Sequence, residues 1–160
     1  GKVIVNGKVN GKDVDFPEST GIIIETPGFL AHYSGLRNLK LLAGVSHKAD
    51  EARARAVMKM VKLNPDNKKT VGQYSLGMRQ RLGIAQAIME DPQLLILDEP
   101  FNGLDQDGIH EIHELFQKLK LQGKTILLAS HSASDISRAC DEVFEIKDGV
   151  LEKIPKKDSK

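Results

Sequence analysis

Two adjacent carboxylates, Asp98 and Glu99, follow four apolar residues, Leu94-Leu95-Ile96-Leu97, and precede Pro100. An apolar run that stops abruptly in acids is how a buried parallel strand carries charge to the edge of an α/β sheet, where ligands bind. An acid in the first position can hold a hard cation through oxygen. A second acid beside it can orient or deprotonate a water. Three further segments carry chemistry-bearing side chains: Tyr74-Ser75-Leu76-Gly77-Met78-Arg79-Gln80-Arg81-Leu82, Asn102-Gly103-Leu104-Asp105 and Ser130-His131-Ser132. Ser75 and the Gly77 amide fall at the predicted start of a helix, where unpaired N–H groups and the positive dipole end favour an anion. Each feature has a plainer reading: Ser75 and Asp105 as helix caps, Asp98-Glu99 as solvated acids, and His131 as a structural strand-end histidine.

The elements that must position these residues follow from pattern. Val3 and Val5 alternate with polar residues before Asn6-Gly7, which predicts a hairpin over residues 1–15. The β-branched run Ile22-Ile23-Ile24 predicts a buried strand over Gly21 to Glu25, broken at Pro27-Gly28. From about Leu36 to Met89 the period is helical. Asp50 caps one helix, with Ala54, Val57 and Val61 inward, Arg53, Arg55, Lys59 and Lys62 opposite, and Asn64-Pro65 as its end. Ser75 opens another, with Met78, Leu82, Ala85 and Met89 on one face and Asp91-Pro92 as its stop. Strand and helix then alternate: Leu94 to Leu97, a helix from Asp105 to Leu121, a strand from Thr125 to Ser130, a short helix from Ser134 to Ala139. A final hairpin pairs Val143–Ile146 with Val150–Ile154, and the tail from Lys156 to Lys160 is expected to fray.

Bulk properties narrow the class. The 160 residues suit one domain with a true core, and 40% hydrophobic against 28% charged residues marks a globular chain. A net charge of +1 and 4% aromatic residues give no footprint for nucleic acid. The single Cys140 excludes an internal disulfide and a multi-cysteine zinc site. No apolar run is long enough to span a bilayer, and without a visible signal peptide the default expectation is a cytoplasmic location.

The order and spacing of the four segments resemble the ATP-binding domain of ABC transporters over nearly the whole chain. The resemblance implies an α/β P-loop NTPase core with an inserted α-helical signature subdomain: residues 1–28 and 91–160 as catalytic core, 29–90 as the insertion. It implies ATP and Mg²⁺ as ligands. Asp98 and Glu99 then match the Walker B strand, with Asp98 on Mg²⁺ and Glu99 as the catalytic base or water-orienting group. Ser75 and Gly77 match the signature that reaches the γ-phosphate on a second copy in a head-to-tail dimer. Asp105 matches the D-loop aspartate that communicates between the two sites, and His131 the switch histidine. The commoner signature reads Leu-Ser-Gly-Gly-Gln; here Leu76 replaces the first Gly and Met78 the Gln. Glu25 stands where a glutamine usually senses Mg²⁺ and couples to the membrane subunit, and an acid there can still ligate Mg²⁺. Glu-Thr-Pro-Gly-Phe over residues 25–29, with the signature wording, is similar to the bacitracin-resistance and lantibiotic-immunity branch of bacterial exporters. That implies a permease partner at the inner face of the membrane, docking near Glu25 and residues 29–41.

The same resemblance predicts that the chain begins just downstream of the Walker A P-loop and is inactive by itself, because that loop and its Lys supply most of the phosphate grip. Gly7 to Asp13 imitates a P-loop, but its spacing is one residue short and Asp13 stands where Ser or Thr is needed. His110-Glu111-Ile112-His113 lacks the four-residue histidine spacing of zinc proteases, so a solvated helix face is expected there. Two rival readings remain: a soluble ABC ATPase acting on DNA or ribosomes, and a degenerate interaction module that does not hydrolyse ATP. No long coiled-coil insertion separates Glu25 from Ser75, and no charged linker joins a second domain.

Overall fold

Leu94–Asp98 (β4) is the central strand of a three-stranded parallel sheet, flanked by Thr20–Ile23 (β3) and Thr125–Ala129 (β5). The register sets Ile23 opposite Leu97, and Asp98 opposite Ala129. This computed structural model describes residues 1–25 and 28–155. The expectations for Pro27 and for the tail from Lys156 to Lys160 lie outside them. A hairpin of Ile4–Val5 (β1) and Lys8–Val9 (β2) turns at Asn6-Gly7, both with positive φ. The Asp13 carboxylate accepts the Val9 amide at 2.7 Å, so this segment is a turn, as its failed P-loop spacing predicts. At the other end Val143–Lys147 (β6) and Val150–Ile154 (β7) form a second antiparallel hairpin.

Between β3 and β4 the chain runs through three helices, Gly35–Ser46 (α1), Glu51–Met60 (α2) and Leu76–Ile88 (α3). Each has a side-chain cap of a type that satisfies orphan N–H groups. Ser34 accepts from Arg37, Asp50 from Arg53, and Ser75 from Met78. After β4 comes Gln106–Leu121 (α4), capped by Asp105, and after β5 the short Ala133–Ala139 (α5). Leu39, Val57, Met58, Leu82, Ile84, Ile88, Leu95, Leu97 and Ile112 are essentially solvent-free, so α1, α2, α3, α4 and β4 share one apolar core.

Several boundaries differ from expectation for physical reasons. The strand expected over residues 21–25 ends at Ile23, because Glu25 turns into the left-handed region (φ 54°) and leaves Ile24 65% exposed. Helix α2 ends at Met60, before Asn64-Pro65, because Lys62 turns left-handed at φ 59°. Arg53 does not simply face solvent. Its guanidinium donates to the carbonyls of Ile88 and Met89, both at 2.9 Å, a cation on the negative end of α3. His113, expected on a solvated face, is buried and stacked on Phe101 with ring centroids 4.5 Å apart. Neither of its ring nitrogens has a partner among the described residues, and burial pushes its pKa down.

Gly21 marks the closest approach of sheet to helix. A Cβ there would lie 2.0 Å from the Ala87 carbonyl oxygen, a backbone atom that cannot step aside. Gly21→Ala should therefore lower stability by about 1–3 kcal/mol, seen as a lower urea midpoint. Gly44→Ala, in α1 with open space around it, should raise stability by about 0.8–1 kcal/mol. An unchanged midpoint for Gly21→Ala would mean that β3 does not lie against α3.

Candidate functional site

Parallel strands place their C-terminal ends on one edge. Here that edge gathers Glu25 beyond β3, Asp98 and Glu99 at the end of β4, and Ser130 and His131 beyond β5. The sheet thus sets Glu25, Asp98, Glu99 and His131, four of the residues singled out from sequence, along one edge, and direct contacts join Glu99 to His131. Glu99 itself is left-handed (φ 46°), an uncommon state for a residue with a Cβ. Its N–H donates to the Ala129 carbonyl at 2.9 Å, and its own carbonyl accepts from the Asn102 amide at 3.1 Å. That carbonyl also accepts from the buried Gln80 side chain at 3.2 Å.

The Glu99 carboxylate is held by the end of β5. One oxygen accepts the His131 backbone N–H at 2.9 Å and its ring Nδ1–H at 2.8 Å, and the other accepts the Ser130 hydroxyl at 3.3 Å. Partial burial alone raises the Glu99 pKa, but the His131 contacts and the Ser130 hydroxyl together outweigh it and hold the carboxyl below its ordinary range. The hydrogen bond to Glu99 raises the pKa of the exposed His131 in turn. Asp98 is half-buried, and no donor among the described residues meets its carboxylate.

Ser75 and Gly77 stand at the N-terminus of α3, on the segment that packs against the loop after β4. A Cβ on Gly77 would lie 2.7 Å from the Gly103 carbonyl oxygen, and one on Gly103 would lie 2.4 Å from Leu76. Leu76, where the commoner signature has Gly, therefore covers Gly103. The Ser75 oxygen accepts the Met78 amide at 3.2 Å. This uses an acceptor lone pair and leaves the O–H free to donate. The Asp105 carboxylate accepts the Gly108 amide at 2.9 Å as the cap of α4. The plain capping readings of Ser75 and Asp105 thus hold, and neither is incompatible with a second role.

Among the described residues no three His, Cys, Asp or Glu side chains cluster into a metal cage. The donor set still fits Mg²⁺. That ion keeps several waters and is usually bound by one or two carboxylates plus substrate phosphates, and Asp98 offers an unengaged carboxylate on this edge. Sequence reasoning assigned no role to Gln80 or Arg81. Arg81 pairs with Glu111 at 2.7 Å while donating to the Val61 carbonyl at 2.9 Å. Arg81 falls three residues after Met78 on the face read as inward, whereas Gln80 lies off that face and periodicity gave no signal for it.

A parallel sheet with acids at its carboxyl edge, and a capped helix packed against the loop that follows them, defines an α/β protein of the class whose ligands bind at strand ends. The family profile described as ABC transporter matches residues 1–102. The ABC transporter ATP-binding protein YybJ of Bacillus subtilis is 39% identical over 163 residues, covering 99% of this chain and 75% of YybJ. The bacitracin transport ATP-binding protein BcrA of Enterococcus faecalis is 44% identical over 82% of this chain, which spans 43% of BcrA. The lantibiotic transport ATP-binding protein SrtF of Streptococcus pyogenes is 41% identical over 83% of this chain and 58% of its own length. A dimeric, post-hydrolysis structure of the ATP-binding cassette MJ0796 with ADP and Pi superposes with a TM-score of 0.80 over 96% of this chain and 73% of that one. At 21% identity this speaks to the fold. The chain belongs to the ABC transporter family, and within it resembles the bacitracin and lantibiotic branch. No described helix is long and apolar enough to cross a membrane.

The Glu99–His131 pair has a defined pH window. A raised histidine pKa contributes stability that is lost as pH rises through the folded value. A lowered carboxyl pKa contributes stability that is lost as pH falls through its folded value. The pair is thus strongest between the carboxyl and imidazole ranges. An NMR titration should find His131 above the ordinary histidine value of about 6.5, and Glu99→Gln should bring it back down. A His131 pKa indifferent to Glu99→Gln would mean that the pair does not exist in solution.

Proposed function

We propose that this chain supplies most of the catalytic surface of an ATP-hydrolysing subunit of an ABC exporter. The observation that carries this is the strand-end edge on which Asp98, Glu99 and His131 meet, with Glu99 already bonded to His131. Residues 1–28 and 91–160 act as the catalytic core and 29–90 as the helical signature subdomain. Asp98, and Glu25 on the same edge, would hold Mg²⁺ together with water and phosphate oxygens. Bound Mg²⁺ neutralises phosphate charge and orients the γ-phosphate. Glu99 accepts a hydrogen bond from the attacking water and sets its direction. His131 contacts the γ-phosphate, which competes with Glu99 for the imidazolium.

Ser75 and Gly77 serve the nucleotide of a second copy. Their helix start offers a free O–H and backbone N–H groups to its γ-phosphate, and two copies close head to tail around two ATP molecules. Asp105 caps α4 just past the Gly103 contact with the signature helix, and we assign it the role of reporting one site to the other. Closure and reopening work on a membrane permease docked near Glu25 and residues 29–41, on the cytoplasmic face. Of the two cargo classes that the exporter reading allows, a peptide antibiotic and a lipid-like molecule, the relatives named for bacitracin and lantibiotic transport favour the first. These 160 residues contain no G-x-x-x-x-G-K-[ST] segment, so by themselves they bind Mg-ATP weakly and do not turn it over.

The deciding experiment is a Mg-ATP titration and turnover assay on these residues and on a version extended upstream to a P-loop. The extended protein should bind and hydrolyse ATP, and Glu99→Gln should keep binding while abolishing turnover. An extended protein that binds no ATP would favour the non-hydrolysing interaction module. A second variant separates the two roles of Ser75. Ser75→Asp keeps a good helix cap but sets a negative charge against the γ-phosphate. It should melt like the parent yet lose turnover about 100-fold or more, and full activity would remove Ser75 from the site.

A further inference from the structure

We propose that Gln80 is the positioning residue through which the signature helix sets the aim of Glu99; this rests on the hydrolytic reading above. Gln80 is 6% exposed, on a stretch of α3 whose other buried members are Leu82, Gly83, Ile84, Ala85, Ala87 and Ile88. Packing at such a position asks only for an apolar side chain of similar volume. A buried amide is costly unless its donor is used. The Gln80 Nε2–H group is used on one acceptor, the carbonyl oxygen of Glu99, at 3.2 Å.

That carbonyl belongs to the residue whose backbone is left-handed. A non-glycine residue stays in that region only where its surroundings over-determine it. Three bonds do so here: Glu99 N–H to Ala129, Asn102 N–H to Glu99, and Gln80 to Glu99. The first comes from the neighbouring strand and the second from the local turn. The third arrives from α3. Removing it leaves the Glu99 peptide freer to rotate, and the carboxylate swings with it.

The origin of this third bond gives it a meaning beyond support. Ser75 caps the same helix five residues earlier, about 7–8 Å away along a rigid axis. A force on the N-terminus of α3 is delivered to the Glu99 carbonyl. The helix end that would meet the partner copy's nucleotide is therefore coupled to the acid that would act on this copy's own. Gln80 is bonded to the Glu99 main chain and acts through Glu99.

The test uses the full-length ATPase carrying Gln80→Leu, and Gln80→Met as an unbranched apolar variant of similar volume should Leu not fold. Expected is a kcat lower by about 10- to 100-fold, with KM for Mg-ATP within about twofold and an unchanged melting temperature. Amide exchange at Glu99 and Asn102 should quicken while the rest of α3 stays protected. A kcat within about twofold of the parent, or kcat, KM and melting temperature falling together, overturns the inference. A parent without turnover sinks the hydrolytic reading instead, and the exchange measurement then still decides whether Gln80 holds Glu99.

Discussion

The 2.9 Å hydrogen bond from the Glu99 amide to the Ala129 carbonyl is the constraint from which the rest of the site follows. It carries the β4–β5 ladder one step past Asp98, the last residue of the strand. At that step the backbone turns left-handed and leaves the sheet. A left-handed non-glycine residue costs roughly 1–2 kcal/mol, and hydrogen bonds worth about 1 kcal/mol each offset it. The Glu99 carboxylate is thereby directed toward the end of β5, where the His131 amide and ring and the Ser130 hydroxyl receive it. Two strand ends become one rigid unit, and the acid is fixed by both its main chain and its side chain.

Helix α3 carries this rigidity outward. Its N-terminus is capped by Ser75 and lies against Gly103, its middle reaches the Glu99 carbonyl through Gln80, and its C-terminal carbonyls are held by Arg53. The side chain of Arg81, 14% exposed, joins the Val61 carbonyl at the end of α2 to Glu111 on α4. An ion pair buried on its Arg81 side and part-exposed at Glu111 adds little net stability, and its geometry ties the two helices in register. The helices before β4 and the helix after it therefore meet through directional contacts that do not slide as an apolar interface could.

Much of this was legible in the sequence, for identifiable reasons. Leu94 to Leu97 before two acids could only be a buried strand, and Ser75 and Asp105 stood where helical periods begin, so caps and strand end were found together. Periodicity could not reveal tertiary partners. Arg53 lies on the polar side of its helix by pattern, yet it reaches the end of another helix that no local window contains. His113 reads as polar, but Phe101, twelve positions earlier, offers it a stacking surface. Left-handed turns at Glu25 and Lys62 end their elements early because a non-glycine residue gives no compositional warning of positive φ. Gln80 was invisible for the same reason as Arg53: its meaning lies in an acceptor on a different element.

The electrostatics of Glu99 constrain how the proposed hydrolysis could proceed. A carboxylate held below its ordinary pKa is a poor proton acceptor, so in the arrangement described Glu99 is better suited to orienting water than to deprotonating it. Its basicity recovers only when the His131 ring is drawn off, because the ring and its amide supply most of the stabilisation of the charged form. With the ring gone, partial burial is opposed only by the His131 amide and the Ser130 hydroxyl, so the Glu99 pKa moves up from its resting position. A phosphate group at the strand-end edge is the kind of anion that can draw off an exposed imidazolium. In the proposed hydrolysis the resting pair would be a safety: Glu99 would become more basic when the group to be attacked is present, and the side chain that restrains it would become a donor to the phosphate.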